Sequence, residues 1–240
     1  MSQFQLVVFD MAGTTVADQG EVKGIFLQAA RNTGLPMTPE QLQPLRGLSK
    51  RVVFRQLWGH ELGPDVADLS ARVESSYAEF RRLLENHYET QTLDPTEGCL
   101  ECFDWLRSEG IAIGLTTGFY RKVTDIILSR LGWNQGLDER HVGTSKTLIQ
   151  ASVTSDEVAE GRPAPHMIQR TMEMLGVQNA QQVVKIGDTP PDFQAGRNAG
   201  CGMTLAVTNG SHTAEQLQEQ PHDELLSSLS ELKDCLQSHR

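Results

Sequence analysis

Four short runs of apolar, largely β-branched residues punctuate the chain: Phe4–Phe9, Ile111–Leu115, Val183–Ile186 and Met203–Val207. Each is too short and too continuously apolar for an amphipathic helix, so each predicts a strand buried on both faces. Helical stretches separate them, and the alternation predicts an α/β protein with a parallel sheet covered by helices. A polar or glycine-containing turn follows every run: Asp10–Thr15, Thr116–Phe119, Gly187–Asp192 and Thr208–Gly210. Ligands in open α/β sheets collect at the carboxyl ends of the strands, so these turns are expected to converge on one site.

Between the first and second runs, residues 17–92 carry helical periodicity and no strand-like segment. The expected division is therefore a core of residues 1–16 and 93–240 and a helical cap of residues 17–92. Thr38-Pro39-Glu40-Gln41 supplies a capping residue, a proline at the first helical position and a glutamine three residues after the cap, a helix start. Pro44 and Gly47 interrupt that helix, and it resumes near Ser49. Val52, Val53 and Leu57 then form an apolar stripe that reads as cap core. Glu74 to Leu84 continues as a charged amphipathic helix whose arginines and glutamates read as a solvated face. The last twenty residues, polar with interspersed leucines, read as a closing helix.

Composition narrows the picture. The 240 residues suit one domain, or one domain with an insertion. With 38% hydrophobic and 22% charged residues, a disordered or collagen-like chain is excluded. Lys and Arg number 21 against 31 Asp and Glu, a net charge of −10 that disfavours nucleic acid and anionic lipid as partners. An anionic substrate must then be held by a local pocket. No apolar run approaches the length of a membrane span, and the chain opens on a strand-like segment, so a cytoplasmic location is expected. The four cysteines fit neither a disulfide framework nor a zinc site, and Cys99-x-x-Cys102 reads as two reduced thiols one helical turn apart. The seven histidines show no close metal-ligand pattern, and His166 reads as a helix-packing residue.

Candidate chemistry sits in the turns. Asp10, at the end of the first strand, can attack an electrophilic phosphorus or bind a divalent cation. Gly13 lets the backbone turn closely around an anion, and Thr14 offers a hydroxyl and an amide. Gly187-Asp188-Thr189-Pro190-Pro191-Asp192 places two more carboxylates four residues apart. Three acids at one site repel one another unless a cation sits between them, and oxygen ligands favour magnesium. Thr117, Gly118 and Phe119 follow the second strand, where a hydroxyl and helix-terminal amides can hold a phosphoryl oxygen. Gly161-Arg162-Pro163-Ala164-Pro165 supplies a cation that can neutralise phosphoryl charge and keep Asp10 ionised.

Taken in order, Asp-x-x-x-Thr, Thr117, a basic residue before Pro-x-Pro and Gly-Asp-x-x-x-Asp resemble the haloacid dehalogenase superfamily over almost the whole chain. That resemblance implies a Rossmann-like parallel sheet core with an inserted helical cap subdomain, an aspartyl-enzyme intermediate and magnesium. Most phosphatases and phosphomutases of the superfamily carry a second aspartate two residues after the nucleophile; here that position is Ala12. Phe9-Asp10-Met11-Ala12-Gly13-Thr14-Thr15-Val16 is similar instead to the phosphonoacetaldehyde hydrolases, or phosphonatases. Thr154-Ser155-Asp156 through Gly161-Arg162-Pro163, and Gly187-Asp188-Thr189 continuing into Gly196-Arg197-Asn198-Ala199-Gly200, look like them too.

Expelling a carbanion from a phosphorus–carbon bond needs an electron-withdrawing imine rather than an oxygen-directed acid, and phosphonatases form it with a cap lysine. Gly47-Leu48-Ser49-Lys50 resembles that cap motif and places Lys50 at the imine position. Its place at a helix N-terminus, with Arg46 and Arg51 nearby, would favour the free amine. The resemblance thus assigns Asp10 as nucleophile and the backbone carbonyl of Ala12, Asp188 and Asp192 to magnesium. Thr117, Gly118 and Arg162 go to the phosphoryl group, and Gly13, Thr14, Gly47 and Phe119 to substrate. It also implies a small phosphonate or phosphate substrate and a homodimer formed through the cap. Departures remain: Val53 stands where phosphonatases have histidine, Arg46 where they have methionine and Phe119 where they have tyrosine. A phosphatase or phosphomutase using Lys50 as a substrate contact, and a catalytically silent phosphonate- or phosphate-binding protein, stay open as alternatives. Simple nucleotide binding is disfavoured, since neither a phosphate-binding glycine loop nor Gly-x-Gly-x-x-Gly follows a strand.

Overall fold

The computed structural model describes residues 3–42, 45, 48–63 and 66–239. The first apolar run becomes β1 (Leu6–Asp10), buried along its whole length. Its alternation sends Val7 and Phe9 to one face of the sheet and Leu6 and Val8 to the other. β1 lies between β2 (Ala112–Thr117) and the strand Val183–Gly187. β3 (Ala151–Thr154) flanks β2 and closes one edge, which makes Val183–Gly187 β4. Beyond β4 lie β5 (Met203–Val207) and β6 (Glu224–Leu226), giving the order β3-β2-β1-β4-β5-β6 with every neighbour pair parallel. The fold is the Rossmann-like α/β sheet the sequence implies.

Three of the four expected strands run on into the turn that follows, ending at Asp10, Thr117 and Gly187, so pairing reaches the chemistry-bearing residues themselves. β3 and β6 were not expected. β3 reads Ala-Ser-Val-Thr and β6 has three residues, so neither presents a recognisable apolar run. β6 also lies within the last twenty residues, which do not form one closing helix. They hold that strand, a 3₁₀ turn (Leu229–Glu231) and a seven-residue helix (Leu232–Ser238).

Between β1 and β2 lie α1 (Glu21–Thr33), α2 (Pro39–Leu42), α3 (Lys50–Leu62), α4 (Leu69–Thr90) and α5 (Cys99–Ser108). The first four fall in the segment read as an insertion. Phe26 of α1, Phe54 of α3 and Phe80 of α4 meet with ring centroids 4.3–5.9 Å apart, an aromatic knot that joins these helices. Trp58 Nε1 donates to Ser76 Oγ at 2.8 Å, giving its buried polar end a partner. The apolar stripe of α3 is Val53, Phe54, Leu57 and Trp58; Val52, expected in it, is 42% exposed because it falls on the opposite side of the helical turn. α2 starts at Pro39, and Thr38 N donates to Gln41 Oε1 at 2.8 Å. The expected interruption at Pro44 and Gly47 lies outside the described residues. On α4, Arg82 pairs with Glu79 at the surface, but Arg81 stacks 4.5 Å over the Tyr120 ring and is not simply solvated.

The remaining helices are α6 (Arg121–Leu131), α7 (His166–Leu175), α8 (Pro190–Ala199), α9 (Ala214–Gln218) and α10 (Leu232–Ser238). Phe103 of α5, Ile127 of α6 and Leu236 of α10 share the apolar cluster of Val7 and Phe9. Ile168 of α7 and Ala195 of α8 cover Leu6 and Val8 on the other face. Cys99 and Cys102 are free and buried on α5, and burial pushes both thiols up, Cys102 to about 12. Unionised thiols at these positions match the reading of reduced packing residues. Among the described residues no helix is long and apolar enough to cross a membrane.

Candidate active site

The strand-end turns converge as expected. A cavity of about 360 Å³ opens at the carboxyl edge of the sheet, floored by Asp10, Ala12, Thr117, Gly118, Phe119, Arg162, Asp188, Gly210 and Ser211. Its other wall comes from the helices that follow β1: Asp18, Gln19, Val22, Lys23, Phe26, Leu42, Leu45 and Lys50. The strands place the floor residues there because parallel pairing ends β1, β2 and β4 at one edge.

Three carboxylates meet beneath the floor. One oxygen each of Asp10, Asp188 and Asp192 lies within 4.8 Å of the others, and all three residues are buried. Arg162 Nη1 reaches Asp10 Oδ1 at 2.9 Å and also pairs with Asp192. Lys185 Nζ, fully buried in the middle of β4, pairs with Asp192 Oδ1 at 2.8 Å. Thr189 Oγ1 donates to Asp192 Oδ2 at 2.6 Å. Burial raises Asp192, yet Arg162 and Lys185 outweigh it and hold the carboxyl at about 2. Both oxygens of Asp192 are thus engaged and it does not line the cavity; it orders the two cations under the site. Asp188 makes no ion pair among the described residues, accepting instead from Ser211 N at 2.7 Å and Thr14 Oγ1 at 3.4 Å. Burial raises its carboxyl, and the Asp192 charge adds to the rise.

Asp10 shows where the electrostatics balance. Burial lifts its carboxyl to about 7, Arg162 pulls it down, and Asp192 and Asp188 push it up again. The arginine therefore acts in the expected direction without keeping Asp10 ionised by itself. Asp10 and Asp188 are the pair left short of positive charge, with oxygen donors only, and both face the cavity with Ala12. Such a donor set fits a hard divalent cation.

The threonine turn is braced from behind. Thr117 Oγ1 accepts from Phe119 N at 3.1 Å, and Ser155 Oγ donates to the carbonyls of Gly118 and Phe119 at 3.1 and 3.0 Å. Gly13 and Thr14 are not in the cavity wall but support Asp188. Gly13 has φ 84°, and a Cβ there would sit 2.6 Å from Asp188 Oδ2. Gly210 abuts the same carboxylate from the other side, so a side chain at either position would displace it.

Lys50 is the first residue of α3, with Ser49 at the N-cap, as the sequence suggests. Its Nζ lies 5.4 Å from the Phe119 ring centroid and 5.8 Å from that of Phe26, with no hydrogen bond or ion pair among the described residues. Burial and then the Arg162 charge lower the ammonium to about 8. The expected contribution of Arg51 is absent: Arg51 turns to the surface, pairing with Glu74 at 3.1 Å and stacking 5.0 Å over Tyr77. Arg46 and Gly47 lie outside the described residues. Val53, which stands where the sequence resemblance expects a histidine, is buried in the apolar core and offers no proton. His166 opens α7 and does not line the cavity.

Two residues of weight escaped the sequence reading. Lys185 interrupts an apolar strand run with a charge, a signal that was visible but had no partner in the local sequence. Asp18, just before α1, faces the cavity that Lys50 also lines and its charge acts on Lys50, and no spacing rule ties the two together.

A model of haloacid dehalogenase-like hydrolases matches residues 7–206. A phosphonoacetaldehyde hydrolase from Bacillus cytotoxicus is 33% identical over 225 residues, spanning 87% of this chain and 77% of that one. The structure of a phosphonoacetaldehyde hydrolase like protein from Oleispira antarctica superposes with a TM-score of 0.76 at 18% identity, covering 98% of this chain and 92% of that chain. A predicted phosphoglycolate phosphatase from Haemophilus somnus 129pt superposes equally well, at 0.76 and 16% identity over 98% and 99% of the two chains. These two superpositions speak to the fold, whereas the sequence matches cover the strands and turns that build the site. The chain belongs to the haloacid dehalogenase-like hydrolase family.

Proposed function

We propose that this chain is a magnesium-dependent hydrolase that cleaves the phosphorus–carbon bond of a small phosphonate bearing a carbonyl group, of the phosphonoacetaldehyde type. One observation carries the reading: Lys50 presents an amine, lowered to about 8 and without a hydrogen bond or ion pair among the described residues, to the cavity that holds Asp10. A lysine held partly as free amine beside an aromatic wall is suited to condense with a carbonyl. Residues 17–92 act as the cap that brings it to the core formed by 1–16 and 93–240.

In this reading Lys50 attacks the carbonyl carbon, and loss of water leaves a protonated imine. Thr117, Gly118 and Arg162 hold the phosphoryl oxygens, with Phe119 against the two-carbon unit. Asp10 attacks phosphorus, the phosphorus–carbon bond breaks, and its electron pair passes into the imine to give an enamine and an aspartyl-phosphate. Water then releases phosphate from Asp10; protonation of the enamine and hydrolysis of the resulting imine release acetaldehyde and restore the Lys50 amine. Asp10, Asp188 and the Ala12 carbonyl would hold magnesium, which when bound supplies positive charge for the phosphoryl oxygens. Ala12 carries no acid for an oxygen leaving group, and a carbon leaving group on an imine needs none.

Borohydride trapping with phosphonoacetaldehyde, read by mass spectrometry, tests the reading. A two-carbon adduct on Lys50, absent from Lys50→Arg and accompanied by phosphate release, is expected, with the trapping rate rising as pH passes about 8. Neither adduct nor release from the unmodified protein would overturn it and send the search to phosphate monoesters.

A further inference from the structure

Imine chemistry needs a group that gives and takes protons at the Lys50 nitrogen, and the expected side chains are missing. Val53 is buried hydrocarbon and Phe119 has no hydroxyl. Among the described residues, the ionisable side chains lining the cavity are Asp10, Asp18, Lys23, Lys50, Arg162 and Asp188. Asp10 and Asp188 serve phosphorus and the cation, and a guanidinium does not release its proton in this range. Among the described residues, Asp18 is the one carboxyl of the wall outside the aspartate cluster.

Its placement is specific. Asp18 Oδ1 accepts from Gly20 N at 2.9 Å, which fixes the carboxyl at the entrance to α1. The Glu21 carboxyl lies beside it, and Glu21 Oε2 is buried without a hydrogen-bond partner among the described residues. Two carboxyls so close favour sharing one proton. Burial and then the Glu21 neighbour raise Asp18, while at Glu21 the Asp18 contact and backbone groups outweigh burial and lower it, so of the two carboxyls Asp18 holds a proton the more readily. Among the described residues, the titratable groups that act on the pair are Lys50 from α3 and Tyr88 and His87 from α4, and Asp10 of β1 and Lys23 of α1 line the same cavity as Asp18.

Resting on the function proposed above, we infer that Asp18, paired with Glu21, is the proton-transfer residue for the Lys50 imine. The Asp18 carboxyl gives its proton to the hydroxyl of the carbinolamine, the carbon–oxygen bond breaks, water leaves and the imine forms. The resulting carboxylate recovers a proton from the water that hydrolyses the imine at the end of the cycle, so no outside reagent is consumed. Glu21 keeps the returning proton on Asp18.

Asp18→Asn tests this, because asparagine preserves the acceptor for Gly20 N and the helix entrance while removing the transferable proton. Borohydride trapping is compared across pH for the unmodified protein, Asp18→Asn, Asp18→Glu and Glu21→Gln, with thermal melting as the control for folding. Expected are a drop of about 10²-fold or more in trapping rate for Asp18→Asn with melting unchanged, partial rescue by Asp18→Glu, and a shifted acid limb for Glu21→Gln. An unmodified protein that traps while Asp18→Asn traps equally fast with the same pH profile overturns the role of Asp18 alone. Absence of trapping in the unmodified protein overturns the imine reading and this role with it. Equal losses in Asp18→Asn and Asp18→Glu together with lowered melting mark a structural role and also overturn it.

Discussion

At the scale of single residues, the site works by placing positive charge below acids that would otherwise repel. Lys185 has no route to water, and its Nζ is satisfied by Asp192 at 2.8 Å, Ile186 O at 3.2 Å and Thr116 Oγ1 at 3.3 Å. Removing it leaves the buried cluster of three carboxylates one cation short in low dielectric. Lys185→Met should therefore cost about 3–5 kcal/mol in denaturant unfolding. It should also weaken turnover by drawing Arg162 further toward Asp192 and away from Asp10; full activity would refute that link. Asp10 and Asp188 were legible because each occupies a strand-end turn with a recurring chemical logic, and Arg162 because it is a cation in a proline-restricted loop, before Pro-x-Pro. Lys185 and Asp18 were not, because their partners lie in other elements and only the fold reveals them.

At the scale of elements, apolar continuity identified the central strands, which are buried on both faces. It failed at the edges: β3 carries Ser152 and Thr154, whose polar groups bond to Arg121, Asp156 and Glu157 rather than to water. A polar side chain satisfied by a neighbouring loop is indistinguishable in sequence from one in solvent. The helical stripe of α3 gives the complementary lesson, since adjacent valines differ completely in environment. Val52→Lys should change stability by less than about 0.5 kcal/mol, whereas Phe54→Ala should cost about 3–5 kcal/mol by opening the three-ring knot. Paired urea titrations check both, and a large loss for Val52→Lys would show that the exposed face has a partner.

At the scale of the molecule, the acid cluster couples folding to pH and, on the reading proposed above, to a divalent cation. A carboxyl raised above its unfolded value, such as Asp10 at about 7, stabilises the fold while protonated, and that contribution drains away as pH climbs toward and past 7. Asp188 acts in the same direction. Asp192, lowered to about 2, loses its contribution only in strong acid, and Lys50 is charged in both states below about 8, so neither tilts the range between pH 5.5 and 8. Without magnesium, the melting temperature should fall across this range from these groups. Added magnesium should raise it, and more at pH 8 than at pH 5.5, because binding requires the deprotonated acids. Scanning fluorimetry at fixed ionic strength reads the difference; an increment independent of pH would count against a cation at this cluster.

The entry of Lys50 from one wall, opposite Asp10 on the floor, makes the cavity a caliper. On the reading proposed above, it turns over a molecule only when the carbonyl carbon and the phosphorus are separated by the span between an amine and a carboxylate. On the proposed chemistry, an aldehyde phosphonate lengthened by a single methylene could still condense with the lysine. Its phosphorus–carbon bond, however, would no longer be conjugated with the imine, and no electron sink would receive the departing pair. Such a compound should be captured and released unchanged, a reversible brake on the enzyme whose grip is measured by competition against the shorter aldehyde.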